Sequence, residues 1–423
     1  MLAGTLALKF PASTREGGIS WVDAFFVSVS ASSVTGLTTV SFPKTFTAFG
    51  EVVVMVLMQL GGIGIMTFAT LGVLLSGGRV GFREILAVRE ELGTFDSPRN
   101  TLRLVRQIAG MTLLVELVGS LLLAAGFVLH GMGPGEGAFQ GVFHAIMAYC
   151  NSGFAALPHG DLLPYAGDPL VILPLSFLIV LGGLGFPVLA DLYRYPKVRH
   201  LSLHSRLTLV ATGLLIMIGA LSVAILEWDN PATLGGLGPA TKILAALFQG
   251  ITPRTAGFNT VDYQGLHQPT VLVQIVLMFI GGGPISTAGG IKVTTAALMV
   301  LSVAAVIRGE EHVSVFGRRL PRQLMARALA LVSLSALLVL SATFALMLSD
   351  GLPLIRALFE VVSAFGTVGL TLGVTPHLSF FGKLLIAVVM FLGRVGPVTF
   401  VVALSARYRP RRYAYPEEEI AIG

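Results

Sequence analysis

Four short glycine motifs recur along this chain about every 110 residues, and this internal repeat constrains its fold more than any other feature. They read Val34-Thr35-Gly36-Leu37, Asn151-Ser152-Gly153-Phe154, Thr255-Ala256-Gly257-Phe258 and Thr367-Val368-Gly369-Leu370. Each follows a helical stretch of about a dozen residues, which is too short to cross a membrane. A second glycine follows each motif at a similar distance, at Gly61, Gly182, Gly281 and Gly393. The shared register predicts four copies of one structural unit.

Apolar runs of roughly 20 residues indicate membrane spans. Seven are found, at Gly50–Leu75, Val105–Leu129, Pro169–Ala190, Leu207–Leu226, Val271–Leu301, Leu324–Leu348 and Lys383–Leu404. An eighth, Met1–Phe10, is too short, so we expect the chain to begin inside a first span or downstream of the natural start. Charged residues make up only 12% of the chain, against about 25% in soluble domains. The sequence therefore predicts an all-α polytopic membrane protein.

The positive charge of the chain indicates its topology. Most of the 28 Lys and Arg residues lie on alternate loops, at Arg79–Arg106, Arg194–Arg206, Arg308–Arg327 and Arg407–Arg412. The positive-inside rule places these loops and the C-terminus on the cytoplasmic side of the plasma membrane. Aromatic residues do not alternate with the basic ones as they do where bases stack, so no nucleic-acid partner is expected.

Each unit is therefore expected to contain a span, a short re-entrant helix, a glycine loop and a second span. The predicted division is repeat 1 at 1–75 with its first span truncated, repeat 2 at 105–190, repeat 3 at 207–301, repeat 4 at 324–406 and a cytoplasmic tail at 407–423. Irregular backbone inside a membrane must be buried in protein or face water, so we expect the four loops to surround one axis.

The residue types around that axis favour a cation. A short helix directs its negative C-terminal end at the axis. Glycine allows the unusual backbone conformations that turn successive carbonyl groups inward, where they replace the hydration shell of an ion. The alternative is that these glycines only permit tight turns and close packing. That explanation suits one loop better than four in register.

Several motifs together match a known family. They are Asp23-Ala24-Phe25-Phe26, Thr255–Asn259, Gly281–Lys292, Phe365–Thr371 and Tyr415–Glu418. With them the chain resembles the Trk/Ktr/HKT potassium transporters, and most of all the Ktr-type membrane subunit. The resemblance implies a pseudo-tetrameric, potassium-channel-like pore of four M1–P–M2 repeats, paired as a homodimer. It also implies a cytosolic ring of RCK-type regulatory subunits that bind ATP, ADP or a similar nucleotide.

The same resemblance assigns a selectivity filter. Its residues would be Val34, Thr35, Gly36, Asn151, Ser152, Gly153, Thr255, Ala256, Gly257, Thr367, Val368 and Gly369. In plant HKT relatives a serine in the first loop accompanies sodium preference, whereas this chain has Gly36, so potassium preference is implied. Potassium at the filter carbonyls would be the only metal, and the chain itself would carry no cofactor.

The second span of the third unit is interrupted by Gly281–Pro284 and kept polar by Ser286 and Thr287. Such a segment cannot face lipid, and the resemblance implies an intramembrane gate loop over Gly281–Thr295. The predicted gating residues are Gly281, Gly282, Gly283, Ser286, Thr287, Gly289, Gly290, Lys292 and Arg394. A phosphate-binding P-loop is excluded because Gly290-Ile291-Lys292 stands where Gly-Lys-Ser/Thr is required. A simple packing kink remains the alternative.

Five charged or reactive residues carry individual predictions. Arg394, in the last span, either gates or lowers ion flow, or anchors a neighbouring carbonyl. Lys292 either shares that role or extends to the cytoplasmic edge. Arg254 is expected outside the mouth, solvated or salt-bridged, with a role in the filter as the alternative. Glu116 is expected to bond a neighbouring helix rather than an ion, and Cys150 to be a small packing residue.

Two function classes are compared. Selective permeation of potassium is the leading hypothesis, and an ion-coupled potassium symporter of the same fold, for example one dependent on sodium, stays open. A polytopic membrane enzyme would need clustered acids or histidines at a common depth, and the matched loop positions carry glycine and small polar residues instead. We therefore expect no enzyme activity and no further metal centre.

Overall fold

The computed structural model describes residues 1–15, 18–64, 98–310 and 312–396. Several predictions lie outside these residues. They are the tail at 407–423, the motif Tyr415–Glu418, the basic residues from Arg79 to Arg89, and the later parts of the predicted spans Gly50–Leu75 and Lys383–Leu404.

The first two predicted units consist of helices. The first contains α1 (Leu2–Lys9), α2 (Trp21–Ser32), α3 (Phe42–Thr45) and α4 (Ala48–Ile63). The second contains α5 (Pro98–Leu129), α6 (Pro134–Tyr149), α7 (Pro169–Leu184) and α8 (Phe186–Val198).

The other two units follow the same order. The third contains α9 (Leu203–Leu226), α10 (Pro239–Ile251), α11 (Gln268–Phe279) and α12 (Val293–Ile307). A small antiparallel hairpin follows, of β1 (Ser314–Val315) and β2 (Arg318–Arg319), with Val315 paired to Arg318. The fourth unit contains α13 (Arg322–Asp350), α14 (Leu354–Gly366) and α15 (Phe380–Val395).

Local chemistry explains where several of these helices begin. Hydroxyl side chains accept the free amide hydrogens of the first turn, as Ser20 does for α2, Thr47 for α4 and Ser379 for α15. The helices α6 and α10 instead begin with Pro134 and Pro239, whose fixed φ suits a first turn and whose missing N–H needs no partner there.

Three helices in the described part of the chain are long and apolar enough to cross a membrane: Val105–Leu129, Leu203–Leu226 and Arg322–Asp350. Their outward faces are apolar, and on α5 the exposed stripe includes Leu113, Leu117 and Leu121. Exposed leucines at one helical spacing suit a surface that faces lipid rather than water.

The predicted continuous span Pro169–Ala190 is wrong. The chain bends by 105° between α7 and α8, and the two helices form a fourth candidate span only when counted together. Gly185 stands at the break with φ 93°, a conformation that glycine adopts at little cost. The interruption predicted in the third unit is present between α11 and α12, although α12 already begins at Val293, inside the predicted gate loop.

The packing of the helices closes the four units into a cycle. Within each unit the first helix packs on the short one, as α1 on α2, α5 on α6, α9 on α10 and α13 on α14. The helix after each glycine motif also packs on the short helix of the next unit, as α4 on α6, α7 on α10, α11 on α14 and α15 on α2. The last of these contacts joins the end of the described chain to its beginning.

Candidate ion pathway

The short helices α2, α6, α10 and α14 end directly before the glycine motifs. In three of them the first motif residue adopts a left-handed conformation, at Val34 (φ 60°), Asn151 (φ 58°) and Thr367 (φ 51°). The next residue bonds back across the helix end, for example from Thr35 N to Ser30 O at 2.8 Å. This pattern is a Schellman ending, which glycine usually makes. The same turn thus starts the loop in the first, second and fourth units.

The third motif differs in detail but not in strain. Thr255 has φ 76°, and Ala256 N bonds Thr252 O at 2.9 Å. A β-branched residue in the left-handed region costs about 1–3 kcal/mol, and such outliers cluster at functional sites. Val34, Thr255 and Thr367 all carry this cost, each at the same position of its motif. The strain indicates that backbone direction matters here more than local stability.

The four motif glycines lie against each other in the order of the units. A β-carbon added at any of them would collide with a neighbour: Gly36 with Gly153, Gly153 with Gly257, Gly257 with the carbonyl oxygen of Val368, and Gly369 with the carbonyl oxygen of Thr35. For Gly36 the clash is 2.5 Å to the amide nitrogen of Gly153. Only glycine lets four backbones approach one axis this closely.

The carbonyl groups of the four motifs lack donors. No hydrogen-bond donor in the described part of the chain bonds the carbonyl oxygens of Val34, Thr35, Gly36, Asn151, Ser152, Gly153, Thr255, Ala256, Gly257, Thr367, Val368 or Gly369. Their residues are buried, except that Gly153 and Gly369 are partly exposed. Buried carbonyls are almost always paired. Twelve acceptors that have no donor among the described residues, on four motifs that contact one another, are suited to coordinate a cation.

The second glycine has the same packing role in three of the four units. In the first, second and fourth units it meets the last turn of the short helix, because a β-carbon would collide with Ser32 O at Gly61, with Tyr149 O at Gly182 and with Phe365 O at Gly393. Each of these carbonyls lies four residues before its motif glycine. The repeated spacing in the sequence therefore records a close approach of two helices.

The predicted gate loop is tied to the broken helix of the second unit through its backbone. Gly283 N donates to Gly183 O at 2.7 Å, and Phe186 N donates to Ile285 O at 3.0 Å. The hydroxyl of Thr287 donates to Tyr149 O, at the end of α6, at 3.1 Å. Motion of the loop therefore requires these bonds to the second unit to break or to move with it.

The loop also lies against two motif residues. A β-carbon at Gly289 would collide with the side chain of Thr367, and one at Gly281 would lie 3.5 Å from the side chain of Thr255. Among the other predicted gating residues, Gly282 approaches Gly183 O, Gly290 approaches Gly366, and the Ser286 hydroxyl accepts from Ala288 N at 3.2 Å. The predicted filter and gate residues are thus adjacent in space.

Cationic side chains hold this loop by its carbonyl groups. Arg394 donates from Nη1 to Thr287 O and from Nη2 to Gly61 O, so it links the loop to the first unit as well. Lys292 donates from Nζ to Ala288 O at 2.6 Å rather than extending to an edge. These contacts agree with the alternative that Arg394 anchors a neighbouring carbonyl group. Anchoring the predicted gate loop would also be a way to control it.

The expected position of Arg254 outside the mouth is wrong. Its side chain is 5% exposed, Nη2 donates to Gly281 O at 3.2 Å, and Nη1 has no partner. It is not a member of the ion pairs formed by the described residues. The short helix ends deep in the protein, so the residue before the motif faces the gate loop. The arginine stands directly before a repeated motif, and this position in the sequence is the feature that indicates a buried role.

Glu116 and Cys150 belong to one chain of polar side chains that runs through Gln59. Gln59 Nε2 donates to Glu116 Oε2 at 2.9 Å, and Cys150 Sγ donates to Gln59 Oε1 at 3.4 Å. The expected bond from Glu116 to a neighbouring helix is confirmed, since Gln59 lies on α4. Cys150 is fully buried and fills the space beside Gly62, as expected for a packing residue.

Two polar braces that the sequence did not reveal support the loops after the motifs. Glu360, buried on α14, accepts from Thr371 Oγ1 at 2.7 Å and from Thr375 Oγ1. Gln249 on α10 donates to Thr260 Oγ1 at 3.0 Å and accepts from the Tyr263 hydroxyl at 2.6 Å. Among the described residues no group of three His, Cys, Asp or Glu side chains could hold a metal ion.

Comparison with known proteins gives consistent matches. A family model described as a cation transport protein, TrkH, matches residues 3–410. Ktr system potassium uptake protein B of Bacillus subtilis is 40% identical over all of this chain and 94% of its own length, and that of Vibrio alginolyticus is 39% identical over 100% and 92%. The potassium/sodium uptake protein NtpJ of Enterococcus hirae is 36% identical over 100% and 94%.

A solved structure shares the fold. The potassium transporter TrkH from Vibrio parahaemolyticus superposes with a TM-score of 0.71 at 22% identity, covering 92% of this chain and 79% of that one. Such a likeness extends over nearly all of the helices described above.

Proposed function

The chain belongs to the TrkH family of cation transport proteins, which are multi-pass membrane transporters and not enzymes, and from this premise we propose that it takes up potassium through the axis between its four units. The twelve unpaired carbonyls around that axis carry the proposal. They would replace the hydration shell of potassium ions, and glycine at all four matched positions would favour potassium over sodium. The four units would form a pseudo-tetrameric, channel-like pore.

The gate loop would control flow below this filter. Support comes from its contacts with Thr255 and Thr367 and from the cationic anchors Arg254, Lys292 and Arg394. These side chains hold carbonyl groups that would otherwise be free to turn, and their positive charge opposes cation passage while the loop is in place. Loss of these bonds would let the loop leave the axis.

The names of two relatives bear on assembly. Both are called Ktr system potassium uptake protein B, and we infer that this chain works as a homodimer in the plasma membrane with a cytosolic ring of RCK-type subunits. ATP, ADP or a similar nucleotide would bind that ring rather than this chain. The C-terminus and the basic loops would face the ring.

A sodium-coupled potassium symporter of the same fold is the second candidate. The relative named potassium/sodium uptake protein favours it, because its 36% identity extends over all of this chain. Both candidates use the same axis, and they differ in whether potassium uptake requires sodium.

Uptake measurements test the proposal. The chain, with and without cytosolic ring subunits, would be expressed in a bacterium deficient in potassium uptake, and rubidium or potassium entry measured against competing sodium and lithium. We expect saturable uptake that excludes sodium and falls when Gly257 or Gly369 is replaced by alanine. Uptake that rises with sodium concentration would select the symporter. If neither preparation takes up potassium although both reach the membrane, the proposed function is wrong.

A further inference from the structure

A groove with a cavity of about 300 Å³ lies between the α8–α9 connection and the β1–β2 hairpin. Its lining consists of His200, Leu201, Leu203, Arg206, Phe316 and Arg318. The volume is sufficient for a small organic headgroup. The groove belongs neither to the axis nor to the gate loop.

The position of the groove relative to the membrane follows from the two spans beside it. The apolar helix α9 begins at Leu203, and the apolar helix α13 begins at Arg322, three residues after β2 ends at Arg319. Both helices are long enough to cross a membrane, and both begin beside the groove. The groove therefore lies where apolar helix surface gives way to polar loops, at the depth of lipid headgroups.

The lining has one sign of charge. Two guanidinium groups and an imidazole come from separate segments, and none of the described residues that line the cavity carries a carboxylate. Asp191, whose Oδ2 accepts from Ser202 Oγ and Ser205 Oγ, both at 2.6 Å, does not line the cavity. Arginine side chains bind phosphate in a planar, two-pronged geometry. The polar side of the groove is thus suited to a phosphate group.

The remaining lining is apolar. Leu201, Leu203 and Phe316 form a wall beside the two arginines, and Phe316 is 48% exposed. A free phosphate gains nothing from such a wall, whereas a phospholipid places its glycerol and the first carbons of its acyl chains there. An acidic protein surface would use the two arginines but not this apolar wall.

From these observations we propose that the groove binds the headgroup of an anionic phospholipid, with Arg206 and Arg318 on its phosphate and Phe316 against its glycerol region. The site would be filled from the cytoplasmic leaflet, where basic pockets between transmembrane helices bind anionic headgroups. It would bridge the second unit's connection to α9 and the hairpin before the fourth unit, and so hold these two loops together.

Native mass spectrometry of the purified, delipidated full chain tests the proposal. Phosphatidylglycerol and phosphatidylcholine with the same acyl chains are added to the wild type, to Arg206→Ala/Arg318→Ala, and to Arg322→Ala/Arg327→Ala. The last variant loses two exposed arginines near the same face that do not line the groove. We expect the wild type and this control to bind phosphatidylglycerol in preference, and the groove variant to bind it about 30-fold more weakly, since each arginine contributes roughly fivefold.

Other outcomes overturn the proposal. If both double variants bind phosphatidylglycerol equally more weakly, general surface charge attracts the lipid. If the wild type binds phosphatidylglycerol and phosphatidylcholine equally, the groove does not select for an anionic headgroup. Displacement of the lipid by inorganic phosphate at equal concentration would identify a free-anion site. Unchanged lipid binding together with lost binding of a cytosolic ring would make the groove a protein surface. Because Arg318 lies on an exposed hairpin, Arg318→Gln alone provides a second variant whose folding is not at risk.

Discussion

Lys383 Nζ lies 2.7 Å from Asp23 Oδ1, and this ion pair joins the start of the last described helix, α15, to the start of the first short helix, α2. Both side chains are mostly buried, at 17% and 16% exposure. Asp23 also accepts a hydrogen bond from Ser20 Oγ at 2.6 Å. The pair therefore closes the cycle of units at the place where no chain connection exists.

Removal of this ion pair should loosen the cycle. Lys383→Met leaves Asp23 without its charged partner, and we expect a loss of roughly 1–3 kcal/mol in the free energy of unfolding. Thermal unfolding in detergent measures the loss. Asp23→Asn combined with Lys383→Met should lose less than the sum of the two single changes. Strict additivity would show that the two side chains do not interact.

Gly36→Ser should weaken discrimination against sodium. The added side chain would meet the backbone of Gly153 in a conformation, φ 96°, that serine rarely adopts. We expect about a tenfold loss of potassium preference, equivalent to about 1.4 kcal/mol, in competitive uptake. Gly131→Ser is the matched control, because Gly131 has φ 93° but nothing within 4 Å of an added β-carbon. Unchanged selectivity at Gly36 would remove this loop from the filter.

Arg394→Ala should raise the rate of potassium uptake. The change removes hydrogen bonds from a charged group to Thr287 O and Gly61 O, each of which contributes about 1.5–3 kcal/mol. If loop closure depends on them, the rate should increase at least several-fold without a change in selectivity. Arg394→Lys, which keeps the charge but not both bonds, should fall in between. A lower rate at normal expression would contradict a gating role.

Arg254→Met should also raise the uptake rate, and should leave stability nearly unchanged. The buried guanidinium has one bond, to Gly281 O, and one unpartnered nitrogen. Replacing a poorly compensated buried charge by an apolar side chain of similar length is often neutral or stabilising. Uptake and thermal unfolding would be measured on the same preparation. A large fall in stability with an unchanged rate would make Arg254 a structural residue only.

Glu116→Gln should leave uptake unchanged. Glutamine can keep the contact with Gln59, and Glu116 bonds that side chain rather than a motif carbonyl. By contrast, Glu116→Leu leaves the buried amide of Gln59 without a partner and should cost about 1–3 kcal/mol in stability. Rubidium uptake and thermal unfolding distinguish the two effects. A loss of uptake in Glu116→Gln would assign an ion-binding or proton-carrying role to this carboxyl group.

Repetition made much of the candidate pathway predictable. The motif glycines Gly36, Gly153, Gly257 and Gly369 were found from spacing alone, because one backbone geometry had to be built four times and only glycine permits it. The short helices before them are predicted from their position and their length of about a dozen residues. The interruption after Gly281 was also visible, since glycine, proline and hydroxyl residues cannot continue an apolar span.

Residues without a repeated partner were harder to place. Arg254 was expected in solvent because its neighbours in sequence do not show how deep the short helix ends. The break at Gly185 was missed because Pro169–Ala190 is apolar throughout, and hydropathy does not register backbone direction. Gln249 and Glu360 hydrogen-bond residues in the loops after the motifs. These bonds form only when each loop folds back over its short helix.

The sequence by itself determined the membrane class and the motif positions, and it predicts a fourfold repeat and the side of the basic loops, since these depend on local composition and period. Tertiary structure alone decided which motif carbonyls lack donors among the described residues, which cations hold the predicted gate loop, and that Lys383 meets Asp23. Those relationships join residues far apart in the chain. Packing brings these distant residues together and so determines which backbone groups have partners. The order of residues along the chain does not contain this information.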